Sequence, residues 1–379
     1  MKVVHTSDWH IGRTLGGYSL LEDQEYFLKQ LAAFLVKQRA DALIIAGDLY
    51  DRAVPSAQAV ALLDRFLSDV VLQKKIPVLA IAGNHDSPER LSFSNRFLEQ
   101  GGLYLQGTVE QGVKRVDLGQ VHFYLLPYLE PAAVRQLFPD EAIHSFDQAV
   151  EAVARHFLYD ELSGGKNILI SHGFWINQSD SHENSIQFSE SERSVGGSDA
   201  VDLSRFSMFD YVALGHLHAP QQASLNARYS GSPLKYSVSE AKQKKSVTLL
   251  DIGENEIKVS AHTFAPLRDV RVVEGALAEV VKSPSDDYVF VNLTDREYQL
   301  DAIGSLRGAF PHILGLQYVR IQYNNVASGA EAVLSKSPLE LFEEFYQSST
   351  GEPMQPEQKK LIGQLLDELG GSQHETSKP

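Results

Sequence analysis

Five short motifs in this chain end in side chains that can hold a cation or move a proton: Asp8-Trp9-His10, Gly47-Asp48, Gly83-Asn84-His85-Asp86, His172-Gly173 and Gly215-His216-Leu217-His218. Each follows a short apolar run: Lys2-Val3-Val4-His5, Ala42-Leu43-Ile44-Ile45-Ala46, Val78-Leu79-Ala80-Ile81, Asn167-Ile168-Leu169-Ile170 and Tyr211-Val212-Ala213-Leu214. Such runs predict buried strands of a parallel sheet. Open α/β sheets gather their chemistry at the carboxyl ends of strands. A single Asp behind a strand is often only a helix cap. Strand ends carrying Asp, Asn or His five times over predict one shared site, organised around Asp48.

The donors name the chemistry. Asp8, His10, Asp48, Asn84, His172, His216 and His218 offer carboxylate, amide and imidazole groups without a thiol, a set suited to Mn²⁺, Fe²⁺ or Zn²⁺ and less to Mg²⁺. Seven donors are too many for one ion. They suit two ions about 3.5–4 Å apart that share a bridging carboxylate, the arrangement of phosphate-ester hydrolysis. A cation pair activates water and neutralises the phosphate it attacks.

In this order, Asp-x-His, Gly-Asp, Gly-Asn-His-Asp, His-Gly and Gly-His-x-His resemble the five motifs of calcineurin-like metallophosphoesterases. The stretches 5–13, 83–90 and 229–237 (His-Thr-Ser-Asp-Trp-His-Ile-Gly-Arg, Gly-Asn-His-Asp-Ser-Pro-Glu-Arg and Tyr-Ser-Gly-Ser-Pro-Leu-Lys-Tyr-Ser) are similar to the SbcD branch, bacterial double-strand-break nuclease subunits. The likeness covers nearly the whole chain. It implies a layered α/β/β/α core of four layers. It also implies Mn²⁺-dependent hydrolysis of DNA phosphodiesters: 3′→5′ exonuclease on duplexes, endonuclease on single strands and hairpins. The setting would be DNA repair, recombination and replication, with an SbcC-type ATPase as partner and pairing into homodimers.

The family pattern assigns Asp8, His10, Asp48 and His218 to one ion and Asp48, Asn84, His172 and His216 to the other. Asp48 bridges because a carboxylate has two oxygens. His85 is expected to face the substrate and to protonate the leaving 3′-oxygen or stabilise the phosphate. Asp86 is expected to orient His85 by accepting a hydrogen bond. Asp51 departs from the pattern, since some relatives carry a His there, and its role stays open. A stand-alone phosphodiesterase or phosphatase on small molecules is the alternative, and a scaffold that keeps metals for shape is a third reading. The 229–237 stretch and the C-terminal third argue against the former; the full ligand set and His85 argue against the latter.

Composition sets bounds. The 379 residues leave room for more than one domain, and the chain has no cysteine. No stretch approaches the roughly 20 apolar residues of a membrane span, and no apolar signal region opens the chain. A cytoplasmic, nucleoid-associated protein is expected. The net charge of −15, from 34 basic and 49 acidic residues, argues against DNA binding through a broad basic face. It fits a subunit whose partner shares the grip on DNA.

The elements that must position these residues alternate strand and helix over 1–264, as in a layered α/β domain. Helices are predicted over 20–38 and 88–100, and from an N-cap at Ser56 to Val71. Strands over 228–264 are expected to close a second sheet. Residues 267–325 read β-α-β-α-β, a small α/β segment without ligands, and the resemblance implies a capping domain over 265–325. A linker over 326–336 leads to a helical hairpin over 337–371, which in the SbcD family docks on the coiled coil of the ATPase. A disordered tail over 372–379 is expected. The polar loop 177–199 is a candidate functional loop. Arg13, Arg52, Arg90 and Arg193 are candidate contacts to the DNA backbone. Trp9 and Trp175 are expected to wall the site, and the remaining histidines to be structural or exposed.

Overall fold

The computed structural model describes residues 1–162, 164–176, 192, 200–319 and 337–371. The loop over 177–199 apart from Glu192, and with it Arg193, lies outside the described residues, as do the linker over 326–336 and the tail over 372–379. Residues 1–317 form one compact unit and 318–379 a second.

The apolar runs become strands of two six-stranded sheets. The first runs in the order Ile257–His262, Val247–Ile252, Lys2–Thr6, Ala42–Ala46, Val78–Ile81, Leu103–Gln106. Its last four strands are parallel. The second runs Gln221–Ser224, Ala227–Tyr229, Tyr211–Gly215, Lys166–His172, Val121–Leu126, Lys114–Leu118. Burial on both faces explains why central strands such as Ala42–Ala46, Val78–Ile81 and Tyr211–Gly215 are apolar. Ala42, Ile44 and Ala46 enter a core shared with Phe123, Leu125, Ile168 and Ile170 of the other sheet. Their neighbours Leu43 and Ile45 point the opposite way, into a core with Phe27, Leu31 and Leu35 of the helix Leu21–Gln38 and Leu62 and Phe66 of the helix Ala57–Ser68. On the second sheet, Leu169 faces Val150 and Val153 of the helix Phe146–Phe157.

Two expectations are corrected. The strands of 228–264 do not all close the second sheet. Ala227–Tyr229 does, but Val247–Ile252 pairs antiparallel with Lys2–Thr6, Lys2 opposite Asp251. Leu250 and Ile252 thereby enter the shared core, while Val247 enters the helix side. The helix predicted over 88–100 is two pieces, Pro88–Leu91 and Asn95–Gly101. Ser94 between them has φ +60°, a left-handed residue that a right-handed helix cannot contain. Ser92 Oγ also turns back to the Pro88 carbonyl at 2.8 Å.

Towards the end of the first unit, Val270–Gly275, Tyr288–Leu293 and His312–Tyr318 form a three-stranded sheet with the helices Leu277–Val280 and Ala302–Ala309. Buried Asp23, on the first long helix, ties this segment down. It accepts hydrogen bonds from Arg268 Nη1 at 3.0 Å and the Tyr288 hydroxyl at 2.9 Å.

The second unit contains the helices Pro338–Thr350 and Pro356–Gly371. Ser337 and Glu340 close a capping box at its start, and Gly351, with φ +75°, ends the first helix. Lys359 reaches Glu343 at 2.8 Å between the two helices. Among the described residues no helix is long and apolar enough to cross a membrane.

Candidate metal centre

The motif-bearing strands are central ones, three in the first sheet and two in the second, and their ends are stitched together. Asp8 N–H donates to the Gly47 carbonyl at 3.1 Å and His10 N–H to the Asp48 carbonyl at 2.9 Å. His172 Nδ1 donates to the Ala46 carbonyl at 2.8 Å, and His216 N–H donates to the Asp8 carboxylate at 2.9 Å, both across the sheets. Space is tight: a Cβ on Gly47 (φ +90°) would lie 2.2 Å from His172 Nδ1, and one on Gly83 would lie 2.1 Å from Asp48 Oδ1. Four of the candidate ligands sit in left-handed backbone: Asp8 (φ 54°), His10 (φ 45°), Asp48 (φ 52°) and His216 (φ 107°). Each such residue costs about 1–3 kcal/mol and persists only where its surroundings over-determine it.

All seven candidate ligands converge. Asp48 Oδ2 lies 3.6 Å from His10 Nε2 and 3.4 Å from His172 Nε2. His10 Nε2 and His218 Nε2 are 3.2 Å apart. Asn84 Oδ1 is 3.0 Å from His172 Nε2 and 3.2 Å from His216 Nδ1. Among the described residues the donors form three overlapping groups, Asp8–His10–His218, Asp8–Asp48–His172 and His10–Asp51–His85.

Hydrogen bonds set the tautomers. Glu240 Oε1, 3.0 Å from His218 Nδ1, and the Ala46 carbonyl on His172 Nδ1 take the Nδ1 protons, so both Nε2 atoms turn to the centre. His10 Nδ1 is buried without a hydrogen-bond partner. Lone pairs of nitrogen and oxygen facing one another at these distances fit divalent cations between them.

The electrostatics agree. Burial, together with Asp48, raises Asp8 to about 6. Burial alone would raise Asp48 too, but His172 and then His10 hold it well below the usual carboxylate range. Burial opposes a charged His172, yet the Asp48 carboxylate pushes it up to about 9. Burial and His172 hold His216 down at about 3. In the ion-free protein a proton on His172 therefore stands where a cation would.

The structure corrects the role expected of Asp86. Its carboxylate accepts the backbone N–H groups of Leu49 (3.1 Å), Tyr50 (3.0 Å) and Gly83 (2.9 Å), which ties the loop after Asp48 to the loop before Asn84. Burial and Asp48 raise it to about 7. His85 is oriented instead by the Asp51 carbonyl, which accepts from Nδ1 at 3.0 Å, and by its own N–H on Asp48 Oδ1 at 2.9 Å. Asp51 thus positions His85 through its backbone, while its carboxylate holds Arg13 at 2.9 Å. Arg52 is exposed, at 77% of its side chain, and Arg90 is exposed as well. Trp9 is a core residue rather than a wall: it is fully buried, edge-on to Phe27 and Phe66. Trp175 is buried against Phe206. His5 and His122 are held by Tyr211 and Asp117 away from the ligands.

Sequence reasoning missed Glu240. It is fully buried, pairs with Lys245 at 2.6 Å and His218 at 3.0 Å, and accepts from Tyr236 N–H at 3.1 Å. In Ser239-Glu240-Ala241-Lys242 it reads as part of a polar turn, and nothing in its spacing marks it. The 229–237 stretch buttresses the ligands: Ser230 Oγ meets Ser7 Oγ at 2.8 Å, Ser7 bonds Asp8, and Tyr236 bonds the Trp9 carbonyl.

Residues 1–220 match the family model described as calcineurin-like phosphoesterase, and residues 266–350 that described as type 5 capsule protein repressor C-terminal domain. The SbcD subunit of the SbcCD nuclease from Staphylococcus epidermidis is 33% identical over 375 residues, which covers 97% of this chain and 98% of that one. Its namesake from Staphylococcus saprophyticus is 32% identical, with the same coverage.

Because the folded pKa of His172 is about 9, the ring is protonated below that pH and an incoming cation must displace the proton. Mn²⁺ affinity measured by calorimetry is therefore expected to fall as pH drops from about 9 to 7, with proton release seen in paired buffers. Glu240→Gln is expected to weaken binding about 10–100-fold while the circular dichroism spectrum is kept. A pH-independent affinity, or an unaltered one in the variant, would contradict this assignment.

Proposed function

The chain belongs to the calcineurin-like phosphoesterases, in the branch of the SbcD nuclease subunits, and from that premise we propose that it is the metal-dependent nuclease subunit of an SbcCD-type complex that hydrolyses DNA phosphodiesters. The observation that carries this is the convergence of donors around two carboxylates: Asp48 Oδ2 lies within 3.6 Å of His10 and 3.4 Å of His172, and Asp8 is common to the group with His10 and His218 and the group with Asp48 and His172. Asp8, His10, Asp48 and His218 would hold one ion, and Asp48, Asn84, His172 and His216 the second, with Mn²⁺ the favoured metal and Fe²⁺ or Zn²⁺ the alternatives. When bound, the ions supply the Lewis acidity and positive charge that activate water and offset the charge of the phosphate.

The chain's own residues do the rest. Asp48 and Asn84 set the register between the two donor groups. His85, its Nδ1–H on the Asp51 carbonyl, would act from Nε2, which as part of an imidazolium passes its proton to the leaving 3′-oxygen and returns to the neutral ring. Asp86 holds the loops of both Asp48 and His85 in place. The activities we assign are 3′→5′ exonuclease on duplexes and endonuclease on single strands and hairpins, in DNA repair, recombination and replication, by a cytoplasmic, nucleoid-associated protein.

Residues 1–264 are read as the four-layer α/β/β/α nuclease domain, 265–325 as the capping domain and 326–336 as a linker. The hairpin over 337–371 is read as the dock for an SbcC-type coiled coil, and 372–379 as a tail. Exposed Phe345, Leu361 and Leu365 on the hairpin support that docking. Pairing of two nuclease subunits is supported by an apolar groove between Ala57–Ser68 and Asn95–Gly101, beside which Phe93 and Phe97 are 78% and 79% exposed.

With Mn²⁺, the purified chain is expected to degrade linear duplex DNA while Asp48→Ala leaves it intact; equal cleavage by both would end this reading, and turnover of a small diester without any of DNA would favour the stand-alone phosphodiesterase. Removing 326–379 is expected to abolish capture of an SbcC-type ATPase, and capture by the shortened chain would refute the docking role. Sedimentation should report a dimer that the double change Phe93→Asp and Phe97→Asp converts to monomer; a dimer that survives it lies elsewhere.

A further inference from the structure

His10 turns one ring nitrogen to the centre and leaves the other open. Its Nε2 lies 3.6 Å from Asp48 Oδ2 and 3.2 Å from His218 Nε2. Its Nδ1 is buried and, among the described residues, has no hydrogen-bond partner. A neutral imidazole that gives one nitrogen to a cation carries its proton on the other. Once Nε2 is a ligand, Nδ1 is an N–H in a dry interior, where polar groups are almost always paired.

Asp51 stands next to it. Its Oδ1 lies 3.8 Å from His10 Nδ1, roughly half an ångström outside hydrogen-bond range. Backbone pairing brings this carboxylate there. Beyond their strands, the two segments run on side by side. His10 N–H donates to the Asp48 carbonyl and Ile11 N–H to the Leu49 carbonyl, both at 2.9 Å, and Asp51 N–H donates to the Ile11 carbonyl at 3.3 Å. The His10 ring is held edge-on to His85 and Tyr236.

The donor atoms of His10, Asp51 and His85 lie within 4.8 Å of one another, which on spacing alone would admit a third ion. Arg13 argues otherwise. Its Nη1 is 2.9 Å from Asp51 Oδ1, with both side chains largely buried, and its guanidinium lies over the Tyr236 ring at 5.1 Å. A fixed positive charge there repels a cation. His85 Nδ1 is already committed to the Asp51 carbonyl at 3.0 Å. A carboxylate oxygen has two lone pairs, so Oδ1 can accept from Arg13 and from one further N–H.

Resting on the metal-centre reading above, we propose that the Asp51 carboxylate is the positioning residue for His10: it accepts a hydrogen bond from Nδ1–H and so fixes Nε2 as the ligand atom. A carboxylate behind a ligating imidazole sets its tautomer and raises its basicity. Glu240 stands in the same relation to His218. Asp51 then serves both halves of the chemistry, a metal ligand through its side chain and His85 through its carbonyl.

The test reads metal binding and the ring proton, not turnover. Calorimetry of the full chain with Mn²⁺ is expected to resolve two binding steps. Asp51→Asn, which keeps the shape and an acceptor for Arg13, is expected to weaken one step about tenfold, and Asp51→Ala about 10–100-fold, with the other step within about threefold of wild type. A role confined to anchoring Arg13 predicts no loss in Asp51→Asn. In the Zn²⁺-loaded chain labelled with nitrogen-15 histidine, His10 should carry its proton on Nδ1, with a low-field N–H resonance that Asp51→Asn moves upfield. Circular dichroism checks the fold, and where Asp51→Ala does not fold, the Asn variant and the resonance decide. Unaltered affinity for both ions in Asp51→Asn, or a His10 resonance indifferent to the change, overturns the positioning role and leaves the metal centre standing. A wild-type chain that binds no divalent ion overturns the metal-centre reading itself.

Discussion

Contacts made by the Asp48 carboxylate help to join the two six-stranded sheets. Asp48 leaves the first sheet and, through Oδ2, comes within 3.4 Å of His172, which leaves the second. The backbone repeats the link, since His172 Nδ1 rests on the Ala46 carbonyl. Two sheets packed face to face can slide; these are pinned at the strand ends by charge and hydrogen bonding in a dry interior, where both are stronger than in water. The shared core of Ile44, Phe123 and Ile170 supplies the cohesion, and the Asp48 contacts supply the register.

That register has a cost. Left-handed backbone at Asp8, His10, Asp48 and His216 is unfavourable for residues with a Cβ. It survives because each is held by several neighbours at once: the Asp8 carboxylate by His216 N–H and Ser7, His10 by the Asp48 carbonyl, the Asp48 carboxylate by His85 N–H. Glycines at 47 and 83 let the chains approach closely enough for this. Strain, close approach and buried charge fall on the same residues, the combination expected where a ligand contributes part of the binding energy.

How much of this was legible beforehand depends on the range of the interaction. The ligands could be read because local pattern places them: an apolar run, a tight turn, a donor. The helix over Leu21–Gln38 and the Ser56 cap could be read for the same reason. What could not be read depends on pairing between distant segments. Val247–Ile252 lies beside Lys2–Thr6 although some 245 residues separate Lys2 from Val247, and alternation alone cannot say which sheet a strand joins. Glu240 looks like surface until Lys245 and His218 are seen around it. Asp86 is expected to accept from His85, because nothing in the local pattern marks the distant backbone N–H groups that surround its carboxylate. Its carboxylate turns back to Gly83, Leu49 and Tyr50 instead.

The distribution of charge explains why such a protein must act through ions. The chain carries −15, and cations near the centre are already engaged: Arg13 by Asp51 and Lys245 by Glu240. Without metal the centre presents the Asp8 and Asp48 carboxylates, with the proton on His172 as partial compensation. A phosphodiester approaching that arrangement is repelled. Divalent cations reverse the local sign without altering the surface around it, so the positive charge sits at the one place where the bond is to be broken. Attraction for a phosphodiester and competence for its hydrolysis would then arise from the same ions.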